Sequence, residues 1–366
     1  MQNRPGRALL RAARHGPLLI PRRIAINNPL LEYPVPEVPA PAQLLEVADG
    51  VRWLRMPLPF ALDHINLWLL RDGDGWALVD TGFGNADTQK LWDQVLAERL
   101  EGRPITRIIV THLHPDHLGL AGWLAERFGV DVWMTQAEFL LAHVFWAANG
   151  GDALARLATL FERHGLDAPR VAKIAARAGS YRLAIPALPA TFRRLLDGDR
   201  LVIDGREWRI VVGRGHSPEH AALYCPALGA LISGDMVLPK ITTNVSVAPF
   251  EPEGDPLGLY LASLKRFAEL PQDTLVLPSH GLVFRGLHRR LEQLAAHHEE
   301  RFALITDACA QPRAATELLE RLFRRELDTH QLSFAMGEAI AHLNHLMHAG
   351  RLRRIVDGGV YRFVRT

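Results

Sequence analysis

Four metal-ligating side chains lie within six positions of the segment IIVTHLHPDHLGL, where an apolar, β-branched run ends. These side chains are His112, His114, Asp116 and His117. Alternation along an extended chain puts the two earlier histidines on one face, and the turn at Pro115 brings the aspartate and the last histidine to a neighbouring position. Imidazole and carboxylate groups suit zinc, iron or manganese. The spacing therefore predicts two ligand clusters that face two adjacent metal ions.

A pair of metal ions needs more than four ligands, and further candidates stand at the ends of other strand-like runs. His216 follows VVGRG, Asp235 follows ALISG, and His280 follows TLVLPS. Asp80 ends the earlier run ALVD. The sequence thus supplies ligand-type residues at several strand ends, which a folded sheet can bring together.

In this order the segments LVDTG, HLHPDH, GHSPEH, SGDM and PSHG resemble the five motifs of the metallo-β-lactamase superfamily, from about residue 45 to residue 290. The resemblance implies a four-layer αββα sandwich that binds two divalent metal ions, zinc above all, with iron or manganese as alternatives. It implies that His112, His114 and His216 bind the first ion, and that Asp116, His117 and His280 bind the second. Asp235 is expected to bridge them. Asp80 and His220 are expected to surround the ligands and orient them by hydrogen bonds.

Two cations at such a site share a water molecule and lower its pKa, so that hydroxide attacks a carbonyl or phosphoryl centre. Asp116 is the predicted catalytic residue, because its carboxylate can handle the proton of the attacking water. No serine or cysteine nucleophile is required. The resemblance therefore predicts a metal-dependent hydrolase.

The elements that must position these residues read as an α/β pattern from about residue 45. Apolar β-rich runs alternate with helical segments, and a DGDG turn predicts a hairpin between two of the runs. We predict a basic, proline-rich arm at residues 1–44, a catalytic domain at 45–295 with a helical insertion at 136–195, and a winged-helix domain at 296–366.

The predicted C-terminal domain has helical periodicity followed by LRRIVDGGVYRFV, which indicates two short strands joined by a glycine turn. Its ribbon is basic and could contact phosphates through Arg351, Arg353, Arg354, Arg362 and Arg365. Packing against the core or a second subunit is favoured over that role. His342, His345 and His348 follow helical spacing and are interpreted as a polar helix face rather than a third metal site.

Composition sets the remaining limits. The 366 residues are 48% hydrophobic and 22% charged with a net charge of +2, which indicates a globular protein with no general attraction to polyanions. Two cysteines allow neither a disulfide framework nor a thiolate zinc site, and they fit a reducing, cytoplasmic location. No apolar run is long enough for a membrane helix, so no membrane partner is expected. The arginine-rich start is interpreted as an arm over the core or a disordered segment, with a transit peptide as the less favoured alternative.

The substrate depends on how the chain departs from each group of the superfamily. True β-lactamases usually carry cysteine or serine where this chain has Asp235, so the pattern resembles the glyoxalase II and lactonase groups and predicts a small acyl substrate, an ester, thioester or lactone. Predicted substrate contacts are His64, Phe145, Trp146 and Lys240. The alternative is an endoribonuclease that holds nucleic acid with its basic winged helix. A non-enzymatic regulator is disfavoured because every ligand position is filled. A homodimer is a further expectation.

Overall fold

The computed structural model describes residues 28–147, 151–177, 179–323 and 326–366. The first 27 residues of the predicted N-terminal arm lie outside the described residues. The rest of the arm packs on the protein, since the Asn28 side chain donates a hydrogen bond to Gln293 Oε1 at 2.6 Å and Leu31 is buried. Across the described ranges, no helix combines the length and apolar composition that crossing a membrane requires.

Two sheets form the centre of the molecule. The seven-stranded sheet contains, in spatial order, β1 (Leu44–Ala48), β2 (Val51–Pro57), β3 (His64–Asp72), β4 (Gly75–Val79), β5 (Ile105–Ile109), β6 (Val132–Thr135) and β7 (Arg193–Leu195). The five-stranded sheet contains β8 (Arg200–Ile203), β9 (Arg206–Gly213), β10 (His220–Cys225), β11 (Ala230–Gly234) and β12 (Leu275–Pro278), and strands that follow one another in the sequence are neighbours in this sheet too. Strands β1 to β4 are antiparallel neighbours, whereas β4 to β7 are parallel. The DGDG segment forms the predicted hairpin between β3 and β4.

Helices cover the outer faces of both sheets. They are α1 (Ala86–Glu98), α2 (Pro115–Leu118), α3 (Ala121–Phe128), α4 (Gln136–Ala147), α5 (Gly151–Arg163), α6 (Ala168–Ala175), α7 (Ser180–Ala184), α8 (Pro256–Phe267), α9 (Leu287–Ala308), a 3-10 turn (Ala315–Leu318), α10 (Leu319–Leu322) and α11 (Thr329–His348). At several of these helices, the side chain before the first turn accepts a hydrogen bond from a backbone N–H of that turn. Helix α1, for example, begins where the Asn85 side chain accepts a hydrogen bond from the Thr88 N–H at 2.8 Å.

The buried apolar side chains divide into three clusters that separate four layers. One cluster lies between the two sheets and includes Trp53, Trp68 and Leu223. The second joins the seven-stranded sheet to helices such as α1 and α3, and the third joins the five-stranded sheet to α8, α9 and α11. Each sheet is therefore apolar on both faces, and burying both faces stabilises the layered arrangement. The predicted four-layer αββα sandwich is confirmed.

The C-terminal region consists of helices followed by a two-stranded sheet, β13 (Leu352–Asp357) and β14 (Val360–Arg365), as expected. Its helix α11 shares a core cluster with α8 and α9. Helix α9 also runs without a break through the predicted boundary between residues 295 and 296. The domain division itself stays a prediction.

The three histidines of α11 differ in exposure, since His342 is buried, His345 is half-buried and His348 is exposed. His342 is 1% exposed and lies 3.2 Å from His298 of α9, and His345 lies 3.1 Å from Asp255. His348 contacts the Glu253 carbonyl oxygen at 2.8 Å. The interpretation as a polar face was therefore wrong for His342, which α9 and the neighbouring elements enclose, whereas His348 lies at the surface.

Candidate metal centre

All seven predicted ligands lie together at one end of the sandwich, where β5, β9, β11 and β12 end. The loop after β5 carries four of them, and the other three strands contribute His216, Asp235 and His280. Because the two sheets face each other, strand ends that are far apart in sequence meet at this edge. The structure thus brings together the residues that spacing alone placed in separate segments.

The first group consists of His112, His114, His216 and Asp235, whose ligand atoms all lie within 4.8 Å of one another. His112 Nε2 is 2.9 Å from His114 Nδ1 and 3.1 Å from His216 Nε2. Three ring nitrogens this close present converging lone pairs. Such a set fits a divalent cation that accepts nitrogen ligands.

The second group consists of Asp116, His117 and His280, and its ligand atoms also lie within 4.8 Å of one another. Asp116 Oδ2 is 3.7 Å from His117 Nε2 and 3.5 Å from His280 Nε2. The side chain of Asp116 is 18% exposed, whereas the two histidines are buried. This group therefore opens towards solvent on its carboxylate side.

The Asp235 carboxylate lies between the two groups. Its Oδ2 is 3.4 Å from His216 Nε2 and 3.6 Å from His117 Nε2. Its Oδ1 is 3.3 Å from His280 Nε2 and has no hydrogen-bond partner among the described residues. A buried carboxylate oxygen without a donor is costly, so its position fits a cation on each side.

The ring orientations of three histidines also fit metal ligation. Hydrogen bonds from Nδ1 join His117 to Asp80 Oδ2 at 2.8 Å and His216 to the carbonyl oxygen of Asn244 at 2.7 Å. His280 uses Nδ1 in the same way towards a backbone carbonyl, at 2.8 Å. With each Nδ1–H donated outwards, each Nε2 is directed at the centre of the site. His117 Nε2 is buried and makes no hydrogen bond within the described ranges, although two carboxylates lie within 3.7 Å of it.

Asp80 organises the loop after β5. Its Oδ1 accepts a hydrogen bond from the Thr111 N–H at 2.8 Å, and its Oδ2 accepts from His117. The Thr111 hydroxyl also contacts Asp80 and His112 Nδ1, at 2.9 and 3.0 Å. Asp80 has a φ of +60°, an uncommon value for a residue other than glycine. The hydrogen bonds hold this conformation and turn the carboxylate towards the ligand loop.

His220 supports the position of Asp235. Its Nε2 accepts a hydrogen bond from the Asp235 N–H at 3.1 Å, and its ring is fully buried. The neighbouring Gly234 has a φ of +53°, and a Cβ atom there would lie 2.1 Å from His220 Nε2. Glycine is therefore required where the ring meets the backbone.

Glu138 is a residue at this centre that the sequence reasoning missed. It is fully buried in the first turn of α4, and burial raises the pKa of its carboxyl group. Its Oε2 accepts a hydrogen bond from the Leu113 N–H at 3.0 Å, and its Oε1 accepts from the Glu219 N–H at 2.7 Å. Leu113 lies between two ligands of the first group, and Glu219 lies three residues after His216. Glu138 therefore ties two ligand loops together. The available signal was one acidic residue at the start of the otherwise apolar AEFLLAHVFWAA.

The electrostatics of the site are divided between its two groups. Burial and the neighbouring ring of His117 hold the pKa of His112 well below its usual value, so this imidazole is neutral and free to bind a cation. Burial opposes the charged form of His117 too, but the carboxylates of Asp80, Asp116 and Asp235 raise its pKa well above the usual value. Although burial acts in the other direction, His280 and His117 hold the pKa of Asp235 well below its usual range. The carboxylates of Asp116 and Asp235 thus favour a positive charge in the space between them, as a bound cation would supply.

The predicted substrate contacts do not converge as the ligands do. His64 lies beside the centre, where its carbonyl oxygen accepts from His280 Nδ1 and its own Nε2 accepts from the Gly281 N–H at 2.9 Å. The Trp146 indole donates to the Ile185 carbonyl oxygen at 2.9 Å. Lys240 is exposed. The role of these residues in binding substrate stays a prediction.

Two groups of aromatic side chains lie near the loops of the site. Phe145 contacts Tyr181 and Phe250, with ring centroids 5.6 and 5.8 Å apart, and Tyr181 donates to the Leu113 carbonyl oxygen at 2.8 Å. In the second group, Phe60 lies in the loop before His64 and Phe83 lies in the loop after Asp80. Their ring centroids are 5.4 Å apart.

The aromatic group of Phe60 extends to side chains of helix α11. The centroid of Phe60 lies 5.3 Å from that of His330, which in turn lies 4.8 Å from that of Phe334. Phe60 and Phe334 remain 40% and 44% exposed. Exposed aromatic surface therefore lies next to loops that support the ligands.

Comparisons with known proteins agree with this geometry. The sequence profile of the metallo-beta-lactamase superfamily matches residues 61–280, and that of the metallo-beta-lactamase-like C-terminal domain matches residues 302–366. A crystal structure of a beta-lactamase domain protein from Burkholderia ambifaria is 48% identical, with a TM-score of 0.86 over 93% of this chain and 100% of that one. A metallo-beta-lactamase family protein from Thermus thermophilus is 32% identical, with a TM-score of 0.74 over 88% of this chain and 100% of that one.

Curated relatives are named as hydrolases. A probable metallo-hydrolase from Bacillus subtilis is 24% identical over 81% of this chain and 92% of its own length. The human acyl-coenzyme A thioesterase MBLAC2 is 26% identical over 69% of this chain and 85% of its own length. A hydroxyacylglutathione hydrolase from Chromohalobacter salexigens is 28% identical over 63% of this chain and 68% of its own length.

Proposed function

The chain belongs to the metallo-beta-lactamase superfamily, and from its candidate metal centre we propose that it is a thioesterase or esterase for apolar acyl groups. The predicted hydrolase assignment is confirmed by relatives that are named as hydrolases. The proposal adds a site with two divalent cations, with zinc as the first choice. The observation that carries it is the Asp235 carboxylate, which lies within 3.3 to 3.6 Å of histidines from both ligand groups.

Within this proposal, each residue has a defined task. When bound, the two cations supply an activated water molecule and polarise the carbonyl oxygen of the substrate. Asp116 is the most exposed of the three carboxylates at the centre, so it is placed to accept the proton of the attacking water and to pass it to solvent. Asp80 and Glu138 do not contact the substrate in this scheme. They hold the ligand loops through hydrogen bonds.

The aromatic side chains near the site support an acyl substrate. The aromatic rings of both groups offer apolar surface that suits the carbon chain or ring of an acyl group. Phe250 is 40% exposed, as Phe60 is, so contact surface remains available in each aromatic group. Two relatives, a named acyl-coenzyme A thioesterase and a named hydroxyacylglutathione hydrolase, act on thioesters according to their names. Together these observations favour a thioester over a phosphodiester.

The nuclease alternative depends on free arginines in the C-terminal ribbon, and the structure gives partners to three of the five. Arg354 forms an ion pair with Glu253 at 2.7 Å, and Arg362 pairs with Glu317 at 3.0 Å. Arg351 donates to the Thr306 hydroxyl at 3.2 Å. Arginines that are satisfied inside the protein must break these contacts before they bind phosphate. The role in nucleic-acid binding stays a prediction that these contacts argue against.

The test uses zinc-loaded protein with acyl-coenzyme A and S-acylglutathione substrates of increasing chain length, beside a lactone and a single-stranded RNA. We expect thioester hydrolysis that improves with chain length. His112→Ala and Asp235→Ala are expected to lower it by more than about a hundredfold, since each removes a metal ligand. Cys225→Ala serves as the control, because Cys225 is a free, buried residue of β10 outside the site. Faster cleavage of RNA than of any acyl substrate, or full activity in either ligand variant, would refute the proposal.

A further inference from the structure

We propose that the C-terminal region, residues 329–366, positions the metal ligand His216 by holding the loop that orients it. We call residues 244–255, which follow Asp235 and lead into α8, the clamp loop. The inference rests on the metal centre of the proposed function and not on the choice of substrate. It gives the favoured role of the C-terminal region, packing against the core, a specific task at the metal centre.

The first link joins the clamp loop to the ligand. The carbonyl oxygen of Asn244 accepts the hydrogen bond from His216 Nδ1 at 2.7 Å. The Ser246 hydroxyl donates to the Asn244 side-chain oxygen at 3.1 Å, which fixes the start of the loop. The direction in which His216 presents Nε2 is therefore set by the position of one backbone carbonyl group.

The second link joins the start of the clamp loop to α11. Val245 and Val247 are buried and belong to the same apolar cluster as α11. The Val247 N–H donates to the Gly337 carbonyl oxygen at 3.4 Å. A Cβ atom at Gly337 would lie 2.6 Å from Ser246 Oγ and 2.7 Å from Ser246 Cβ. Glycine in the middle of α11 thus lets the helix and the loop touch.

The third link holds the far end of the clamp loop. The buried Asn344 side chain donates to the carbonyl oxygens of Pro252 and Gly254, at 3.0 and 2.9 Å. Arg354 of β13 contacts both carboxylate oxygens of Glu253, at 2.7 and 2.9 Å.

The histidines of α11 complete this hold. His345 lies 3.1 Å from Asp255, and His348 lies 2.8 Å from the Glu253 carbonyl oxygen. Asp255 also accepts from the Gly258 N–H at 2.8 Å and so caps α8. Side chains that looked like a polar helix face in the sequence are therefore directed at one loop.

The direct test is Gly337→Ala. Alanine favours the helix itself, so α11 is not weakened, but its methyl group must displace Ser246 and the loop with it. We expect one of two zinc equivalents, the one assigned to His112, His114 and His216, to bind about tenfold more weakly in competition with a chelator. The other equivalent keeps its affinity. The double variant Gly337→Ala with Ser246→Gly removes the atoms in conflict and is expected to recover part of the lost affinity, since the hydrogen bond from Ser246 to Asn244 is lost with the hydroxyl.

Normal binding of both equivalents by Gly337→Ala, or equal weakening of both, would overturn the inference. If Gly337→Ala does not fold, the second test measures backbone hydrogen exchange in metal-free protein. It compares alanine variants of two neighbouring arginines. Arg354→Ala breaks the contact with Glu253, whereas Arg353→Ala removes the same charge from an exposed position. We expect several-fold faster exchange across residues 244–255 in Arg354→Ala only.

Equal exchange in the two arginine variants would contradict the inference. Neither readout uses substrate turnover. A failed search for thioesterase activity would therefore leave these results interpretable, and unchanged metal binding and exchange would count against the clamp loop even if the enzyme proved to be a thioesterase.

Discussion

Glu138→Gln is the substitution that best tests how the first ligand group is held. The carboxylate of Glu138 accepts one N–H from each of two ligand loops, at 3.0 Å from Leu113 and 2.7 Å from Glu219. Glutamine has the same shape but keeps only one carbonyl oxygen. Its NH₂ group must face one of the two N–H donors, so one loop loses its partner.

The size of the effect follows from two opposing terms. A buried donor left without a partner costs about 1–3 kcal/mol. Burial raises the pKa of Glu138, which means that the charged form is disfavoured, so the neutral amide recovers part of this cost. We expect a net loss of about 1–2 kcal/mol at the first ligand group. This corresponds to roughly tenfold weaker binding of one metal equivalent, at about 1.4 kcal/mol per tenfold change.

The assay is a zinc titration of metal-free protein against a chromophoric chelator, with separate affinities fitted for two equivalents. Glu219→Gln is the matched control, because that carboxylate is 32% exposed and reaches only the Ala137 N–H, at 3.3 Å, and Arg214. A lower free energy of unfolding in Glu138→Gln with both zinc affinities unchanged would refute the reasoning. It would show that Glu138 stabilises the fold without aligning the ligands.

Two further predictions address the second ligand group and the interior of the C-terminal region. Asparagine in Asp80→Asn tolerates the φ of +60°, but it turns either an NH₂ group or a weaker acceptor towards His117. We expect the zinc equivalent of the second ligand group to bind about ten- to a hundredfold more weakly in the same titration. Burial lowers the pKa of His298 to about 3 and that of His342 to about 4, so the folded protein binds fewer protons than the unfolded chain below pH 6.5. The free energy of unfolding should therefore fall as the pH drops from 6.5 to 4, by about 3 kcal/mol for His342 alone. Urea titrations over this pH range should show a smaller fall in His342→Gln than in the natural sequence. An equal fall in the two proteins would contradict this.

The α/β architecture was predictable because its evidence in the sequence is local and repeated, whereas the four-layer arrangement was implied by the family resemblance. Apolar β-branched runs, the DGDG turn and the helical periodicity of 136–195 each correspond to an element in the structure. The last residues of that predicted insertion are an exception, since Arg193–Leu195 form strand β7 at the edge of the seven-stranded sheet. Three residues are too few for a periodicity to be recognised, and their strand exists only because β6 pairs with it.

The ligand residues were predictable for a different reason, since their types are rare and stand at strand ends. Glu138 and the clamp loop were not, because they act through backbone groups. The hydrogen bonds from Leu113 and Glu219 to Glu138, and from His216 to the Asn244 carbonyl oxygen, depend on where a peptide group lies in the folded molecule. Every residue type has a backbone carbonyl oxygen, so the identity of Asn244 gives no sign that its carbonyl oxygen orients a ligand. Contacts of this kind become visible only when the tertiary structure is known.

The three histidines that direct Nε2 at the centre are oriented by different parts of the fold. His117 is held by Asp80 at the end of β4, and His280 is held by the carbonyl oxygen at the start of β3. These strands are hydrogen-bonded neighbours, so the second ligand group is supported from within a sheet. His216 is instead held by a loop that has no strand partner in the described structure and depends on α11 and β13. Perturbing Asp80 should therefore weaken the second metal equivalent more than the first, which Asp80 reaches only through Thr111 and His112, whereas perturbing the C-terminal contacts should yield protein that retains the second.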